Sequence, residues 1–367
     1  MAVSHAQART KGRSQVPMSL LRIPYWYRHG VLEVSINRKR QMERHARTVR
    51  PDIVILTSIG SEHNRSLGSL DDTLREKARI LDGLRKGGVC VVNGDDEKLR
   101  TLEVPGEARV VTFGLGPEND VRASDLRLDW PHGTRFRLHM AGETHEVRVP
   151  LLGEKMAYAV LAAIAVATAE GNDLEDVLAR LETMEPPPGR LQPVRLPNGA
   201  YLLRDDHKSS LETIDTALDV LSEIPARRIV VLGDISEPPG SQGPIYRRIG
   251  ERLAGIATRI IIVGEHFREY ATGATKAGFP SPMLVNAGKS YRAAVDAVRE
   301  DLSAGDVVLI KGRNTQRLER IAFSLQDRSV GCELVFCRAV NLRCGGCPML
   351  ETGWKDQERA RIVGGRF

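Results

Sequence analysis

Short apolar runs of four to six residues, each followed by a stretch with helical spacing, recur along almost the whole chain. No other feature restricts its folding as much. Runs of that length suit strands buried on both faces of a sheet, and an intervening helix returns the chain so that successive strands lie parallel. The pattern predicts an α/β protein. "GVLEVSI" (30–36) and "DIVILTSI" (52–59) read as strands, with a helix from Asn37 to Arg50 carrying Met42, Ala46 and Val49 on one side. Such a βαβ unit would bring Glu33 and His63 to one carboxyl edge of a sheet, where open α/β folds bind ligands. From about Ala108 to Leu152 the spacing becomes alternating, as in "RFRLHM" and "THEVRVPL", and predicts a small antiparallel insertion. An alanine-rich helix is expected from Lys155 to Ala169.

"EPPPGRLQP" (185–193) ends the helical spacing and reads as a linker. Beyond it "AYLLRD", "RIVVLGD", "RIIIVGE" and "VVLIKG" alternate with helices near 212–223, 244–255, 289–302 and 314–326, which predicts a second, Rossmann-like domain. The expected organisation is therefore 1–186, 187–328 and a Cys-rich tail, 329–367.

With 367 residues, 41% hydrophobic and 27% charged, the chain has material for two cores. Its first residues, "MAVSHAQARTKGRSQ", lack the apolar centre of a signal peptide, and "AYAVLAAIAVATA" is too short to span a bilayer, so a cytoplasmic protein without membrane insertion is expected. The net charge of +6 is uneven: residues 1 to 50 hold eleven Lys or Arg against only Glu33 and Glu43. A nucleic acid, another acidic partner or a phosphorylated ligand suits such a block, and so does a plain solvated face. Aromatic residues make up 5% and do not interleave with the basic ones, which weighs against nucleic acid.

Ser69 and Asp72 have capping-box spacing, and Leu70, Leu74, Lys77, Leu81 and Leu84 then recur at alternating steps of four and three. Lys77 thus falls on an apolar stripe. A buried ammonium needs a partner or a change of chemical state, unless its stem snorkels to water. Nearby, Glu62, His63, Asn64 and Glu33 offer the oxygen and nitrogen ligands that a divalent cation beside phosphate oxygens can use.

"RPDIVILTSIGSEHNRSLGSLDDTLREKARIL" resembles the central domain of the Mur ligases, ATP-dependent enzymes that add amino acids or peptides to the UDP-linked peptidoglycan precursor. Within that family it is most similar to the members that add D-alanyl-D-alanine. The resemblance implies that His63 and Glu33 bind magnesium and that Lys77 is carbamylated, which would turn the misplaced cation into a carboxylate-like ligand. "GGVCVVNGDDEKL" resembles the family's strand and Asn-x-Asp-Asp turn, which would set Asn93 among the nucleotide-binding residues. "PPPGRLQPV" resembles the linker whose arginine, here Arg190, reaches the nucleotide. "RDDHKSSLETIDTAL" resembles a stretch that sets Asp206 and Lys208 on the nucleotide side, Lys208 as a phosphate contact. "VVLGDISE", "IIIVGE" and "VVLIKGRNTQRLERI" resemble strand-to-loop junctions of the domain that holds the incoming amino acid or peptide.

The departures are as specific. No Gly-x-x-x-x-Gly-Lys-Ser/Thr loop occurs, so ATP phosphates lack their usual cradle of amides and lysine. Met156 and Ala159 stand in "GEKMAYA" where the family has two asparagines, the second of which reads adenine, and neither can make those side-chain hydrogen bonds. An Asn-x-Asn-Pro element is missing from "DDHKSSLE". Two functions follow from the resemblance: an amide-forming ligase whose P-loop comes from a partner chain or an upstream segment, or a degenerate homologue serving as a binding or scaffold module.

Cys332, Cys337, Cys344 and Cys347 fall within sixteen residues as C-x4-C and C-x2-C. That spacing suits four thiolates around structural zinc, with an iron-sulfur cluster or free thiols as alternatives. Cys90, inside "GGVCVV", reads as a core thiol.

Overall fold

In the computed structural model the described residues are 3–7, 15–36, 38–60, 67–236, 238, 240–339 and 342–353. His63 lies in the segment 61–66, outside them. The chain divides into two compact units: 1–127 with 134–149 and 154–184, and 128–133 with 150–153 and 185–367.

In the first unit the apolar runs form a six-stranded sheet in the order β3-β4-β5-β6-β7-β8, with β3 Ile53–Leu56, β4 Val89–Asn93, β5 Arg109–Gly114, β6 Val121–Asp129, β7 Gly133–Met140 and β8 Glu143–Val149. β3 to β6 add in parallel, and β7 pairs antiparallel with β8. The alternation of 109–149 therefore extends the main sheet rather than starting another. β2, His29–Glu33, pairs in parallel with β1, Val3–Gln7, in a separate two-stranded sheet. Among the described strands β2 and β3 do not pair, so the expected βαβ sheet sharing one edge is not formed. The run "VSHAQ" that takes β2 is too polar to have stood out as a strand.

The helix Gln41–Val49 begins without a side-chain cap of its own, and the Glu76 carboxylate, from the helix Leu70–Ala78, accepts the Met42 amide at 3.0 Å. An acid at a helix N-terminus satisfies an orphan amide and complements the dipole. Thr73 and Glu76 are the buried residues of the Leu70–Ala78 helix, while Leu70, Leu74 and Lys77 are half-buried, the two leucines packed against the unit's core. Ser69 and Asp72 form the expected capping box, each side chain bonded to the other's amide at 3.1 Å.

The second unit holds a sheet in the order β13-β12-β11-β14-β10-β9. Its members are β9 Gln192–Arg195, β10 Tyr201–Asp205, β11 Arg228–Leu232, β12 Arg259–Ile262, β13 Leu284–Asn286 and β14 Val307–Lys311. All pairs are parallel except β9 with β10. Ile229 to Leu232 and Val307 to Ile310 have no exposed surface, as expected for inner strands covered on both faces. β14 lies between β10 and β11, the point where the strand order reverses and where such sheets open a crevice.

Residues 330–339 and 342–350 fold onto this unit: Val330, Cys344 and Leu350 join Leu318, Ile321, Ala322 and Leu325 in its core. Among the described residues no helix is long and apolar enough to cross a membrane.

The helices Gln242–Ala254 and Phe267–Lys276 meet through glycines. A Cβ on Gly273 would stand 1.9 Å from the Arg247 carbonyl oxygen, and one on Gly250 2.1 Å from that of Tyr270. Alanine for glycine inside a helix ordinarily stabilises by about 1 kcal/mol. Here Gly273→Ala is expected to destabilise by about 3 kcal/mol through overpacking. A urea titration checks the sign, and a gain in stability would refute the close helix contact.

Candidate active site

β3 delivers a loop, residues 57–60, that is pinned at three successive positions. Asn93 Nδ2 donates to the Thr57 carbonyl at 2.9 Å, Lys77 Nζ to the Ser58 carbonyl at 2.8 Å, and the Ile59 amide to Asp96 Oδ2 at 2.8 Å. Each pin comes from a different place: the end of β4, the Leu70–Ala78 helix, and the turn after β4. Lys77 thus neither buries its ammonium in the core nor leaves it to water alone. Its stem lies half-buried and its head rests on backbone at the carboxyl end of β3.

The turn Asn93–Asp96 is itself braced. Asn93 Oδ1 accepts the Asp95 amide at 3.0 Å, and Asp96 Oδ1 accepts the amides of Lys98 and Leu99, both at 3.0 Å. Asp95 collects four donors: the amides of Leu115 and Gly116, Asn119 Nδ2 and the Tyr158 hydroxyl. Burial opposes the Asp95 charge, but those hydrogen bonds outweigh it and hold the carboxyl below its ordinary range. Tyr158 reaches Asp95 from the helix Glu154–Ala169, whose Met156 is half-buried and Ala159 exposed.

Glu33 stands exposed at the end of β2. As an ammonium Lys77 would repel a cation. Among the described residues no three His, Cys, Asp or Glu are grouped to hold a metal ion. The Glu33 carboxylate is a hard oxygen ligand of the kind magnesium takes.

In the second unit the carboxyl edge at β10 and β14 is built on one buried ion pair. Lys311, the last residue of β14, has a side chain 1% exposed and pairs with Asp205, the last residue of β10. The same ammonium donates to the Lys208 carbonyl at 2.9 Å, and Asp205 Oδ1 accepts the Leu191 amide at 3.2 Å. Burial lowers the Lys311 pKa, an effect that Asp205 opposes and the nearby Arg190 charge reinforces.

Arg190 and Lys208 are both half-buried at this edge. Asp206 is different: its side chain has no exposed surface and is held by Arg204 Nε at 2.9 Å, with Arg343 at 3.6 Å. Arg343 also donates to the Pro188 carbonyl at 3.1 Å, pairs with Glu319 at 3.3 Å and bonds His207. A Cβ on Gly189 would meet Asp206 at 2.5 Å and Arg343 at 2.6 Å, and its φ of +68° favours glycine, so a side chain at this point of the linker would have to displace both.

A cavity of about 150 Å³ opens beyond the ends of β11, β12 and β14, lined by Asp234, Glu265, Lys289, Arg313 and Gln316 with the apolar Val263, Leu318 and Phe336. Arg313 pairs with Asp234 at 3.3 Å, Lys289 pairs with Glu265, and Gln316 Nε2 bridges Asp234 and the Val263 carbonyl. The Arg313 Nε is buried without a hydrogen-bond partner. Paired acids and bases beside apolar walls suit a small zwitterion.

The cysteine expectation needs correcting. Although all four thiols are described, they form no metal-holding group. Cys332 and Cys344 are buried, Cys332 beside Arg320 and Cys344 with its amide on the Glu319 carboxylate at 2.6 Å. Burial and that carboxylate push the Cys344 thiol up, away from the thiolate zinc requires. The tail is held by core packing and arginine contacts instead. Cys90 is a core thiol, pushed up to about 11 by burial.

Sequence reasoning missed Lys311, Asp205, Arg343 and the cavity's charged lining. A signal existed for the first: an all-apolar run, "VVLI", that ends in lysine.

Residues 2–167 match the model of the Mur ligase middle domain, and residues 189–314 that of the Mur ligase glutamate ligase domain. The chain is 27% identical over 318 residues to UDP-N-acetylmuramoyl-tripeptide–D-alanyl-D-alanine ligase of Escherichia coli, covering 85% of this chain and 68% of that protein. It is 34% identical over 204 residues to UDP-N-acetylmuramoyl-L-alanyl-D-glutamate–2,6-diaminopimelate ligase of Chlamydia caviae, covering 55% of this chain and 42% of that one. Among solved structures it is similar in fold to MurF from Acinetobacter baumannii, with a TM-score of 0.79 at 24% identity over 89% of this chain and 71% of that one. MurF ligase from Thermotoga maritima in complex with ADP gives 0.75 at 18% identity, over 89% and 73%.

Asp95→Ala leaves four donors without their acceptor and is expected to destabilise the first unit by about 3 kcal/mol at neutral pH. Because the folded-state pKa is depressed, the difference between wild type and variant is full above about pH 4 and shrinks as pH falls through the lower native value. Denaturant titrations from pH 2 to 7 check this, and a pH-independent difference would contradict it.

Proposed function

Because the chain belongs to the Mur ligase family, we propose that it is the body of an ATP-dependent ligase that joins a carboxylate of a peptidoglycan-precursor-like substrate to the amine of an amino acid or peptide. The reading is supported most by one observation: the buried Lys311–Asp205 pair fixes the backbone on both sides of the crevice, at Leu191 next to Arg190 and at Lys208. Two cations are thereby held at the switch point of a parallel sheet, where phosphate oxygens are best received.

In the proposed reaction the substrate carboxylate oxygen attacks the γ-phosphorus of ATP and ADP leaves. The amine nitrogen then attacks the acyl carbon, phosphate departs, and the amine loses a proton. Arg190 and Lys208 offset charge on the phosphate oxygens during transfer. Asp206, enclosed by Arg204 and Arg343, supports the edge from behind rather than meeting the nucleotide. Asn93 acts through the loop it pins. Glu33, His63 and carbamylated Lys77 would hold magnesium, which when bound neutralises charge on the transferring phosphoryl group. The charged cavity receives the amine substrate, with its carboxylate toward Arg313 and Lys289 and its ammonium toward Asp234 and Glu265.

The sequence contains no Gly-x-x-x-x-Gly-Lys-Ser/Thr, so the phosphate cradle is assigned to another polypeptide segment, such as a P-loop-bearing partner in the cytoplasm. The second reading, a catalytically degenerate binding or scaffold module, is favoured by Met156 and the exposed Ala159 at the start of the helix Glu154–Ala169.

Calorimetric titration with ATP and magnesium separates the two. A ligase body is expected to bind ATP, with Arg190→Ala about tenfold weaker from loss of a charge-assisted bond, and Lys77→Ala weaker only when magnesium is present. No ATP binding by the folded wild type would reject an ATP site that this chain forms alone, and no binding after the P-loop segment is supplied would overturn the ligase reading and leave the module.

A further inference from the structure

Neither family-domain match extends beyond residue 314, yet a side chain from the tail reaches both the linker and the loop that follows β10. We infer that Arg343 is a positioning residue for phosphate binding: it clamps the linker at Pro188 and the β10 loop at His207, and so sets where Arg190 and Lys208 stand. The inference rests on the reading of those two cations as phosphate contacts.

The tail gives Arg343 a fixed base. Its neck is closed by the Leu350 carbonyl, which accepts the amides of Gly331 at 2.7 Å and Cys332 at 3.1 Å. Cys344 and Leu350 pack in the unit's core, and the Cys344 amide donates to the Glu319 carboxylate at 2.6 Å. Arg343 stands directly before Cys344, so its backbone is tied to a core position.

From that base the guanidinium, on a side chain 23% exposed, uses all three of its nitrogens. Nε pairs with Glu319 at 3.3 Å, Nη1 bonds His207 Nδ1, and Nη2 donates to the Pro188 carbonyl at 3.1 Å with Asp206 at 3.6 Å. A planar fork can meet several segments at once, which a lysine ammonium cannot do. The two acids do not depend on Arg343 for a countercharge: Arg204 holds Asp206 at 2.9 Å, and Arg317 lies 3.7 Å from Glu319. What Arg343 adds is the link from the tail to Pro188 and His207.

Both tied points adjoin a proposed phosphate contact. Pro188 belongs to a turn that closes where the Arg190 amide donates to the Pro187 carbonyl at 3.2 Å. His207 is next to Lys208, and its own amide donates to the Gly189 carbonyl at 3.2 Å. Cations placed before the anion arrives spare binding the entropy of ordering them.

The test compares the full wild-type chain with Arg343→Ala and with Arg292→Ala, which removes the tail's Glu333 pair and leaves the linker contacts in place. Hydrogen exchange reports the Arg190 and His207 amides, and calorimetry reports affinity for inorganic triphosphate. Arg343→Ala is expected to speed exchange at both amides by about tenfold or more and to weaken triphosphate binding about tenfold, from loss of charge-assisted bonds. Arg292→Ala should match wild type in both. Arg343→Lys keeps the charge beside the acids but cannot span Pro188 and His207, and it takes the place of the alanine variant if that one does not fold. Wild-type exchange in the folded Arg343 variants would overturn the clamp. An equal loss in Arg292→Ala would overturn it too, by tracing the effect to the tail's general stability. Faster exchange with undiminished triphosphate affinity, when Arg190→Ala binds more weakly, would overturn the positioning role and leave Arg190 as a phosphate contact. No triphosphate binding by wild type, or equal binding by Arg190→Ala, would overturn the phosphate reading and the inference with it.

Discussion

A lysine with 1% of its side chain exposed ends the central strand of a parallel sheet, and its pairing with Asp205 is the constraint on which the second unit's edge depends. Taking two charges out of water costs several kcal/mol per ion, so the pair is tolerable only because its remaining valences are used. They are used on the backbone. The ammonium holds the Lys208 carbonyl, the carboxylate holds the Leu191 amide, and the turn at Gly189 closes against Asp206 and Arg343. A hydrophobic pair of the same volume would fill the space but hold neither strand end nor linker.

The first unit solves a similar problem with neutral and singly charged groups. Its strand-end loop is fixed by Asn93, Lys77 and Asp96 in succession, and the turn that carries two of those is locked by the four donors converging on Asp95. Glu76 belongs to the same logic, since it caps a helix that cannot cap itself. In both units, charge placed at the ends of strands and helices sets loop positions that apolar packing leaves undetermined.

Most of the architecture was readable because period and length carry it. The runs "RIVVL" and "VVLIK" could only be inner strands, and Ser69 with Asp72 marked a helix start that the structure reproduces. What escaped was whatever depends on partners distant in sequence. Val3–Gln7 has no apolar pattern, so the strand that claims Glu33's neighbourhood went unseen. The leucine stripe does pack against the core, but Lys77 on it carries its head out to the Ser58 carbonyl, a partner that spacing could not name. Cysteine spacing suggested zinc, whereas packing of Cys332 and Cys344 into the core beside Arg320 and Glu319 separates the thiols. Arg343 could not be assigned from spacing at all, because its role depends on where the tail folds back.

The measurement that bears most directly on this account is a double-mutant cycle on the buried pair, with Lys311→Met, Asp205→Leu and the combination, read both as unfolding free energy and as ATP affinity. Each single substitution leaves an unpaired buried charge and should cost about 3–5 kcal/mol, and the double variant should recover much of that. ATP affinity should not recover with it, because Leu191 and Lys208 would still lack their bonds to the pair. A double variant that binds ATP as tightly as the wild type would show that the pair fills space without positioning the crevice, and the central claim would fall.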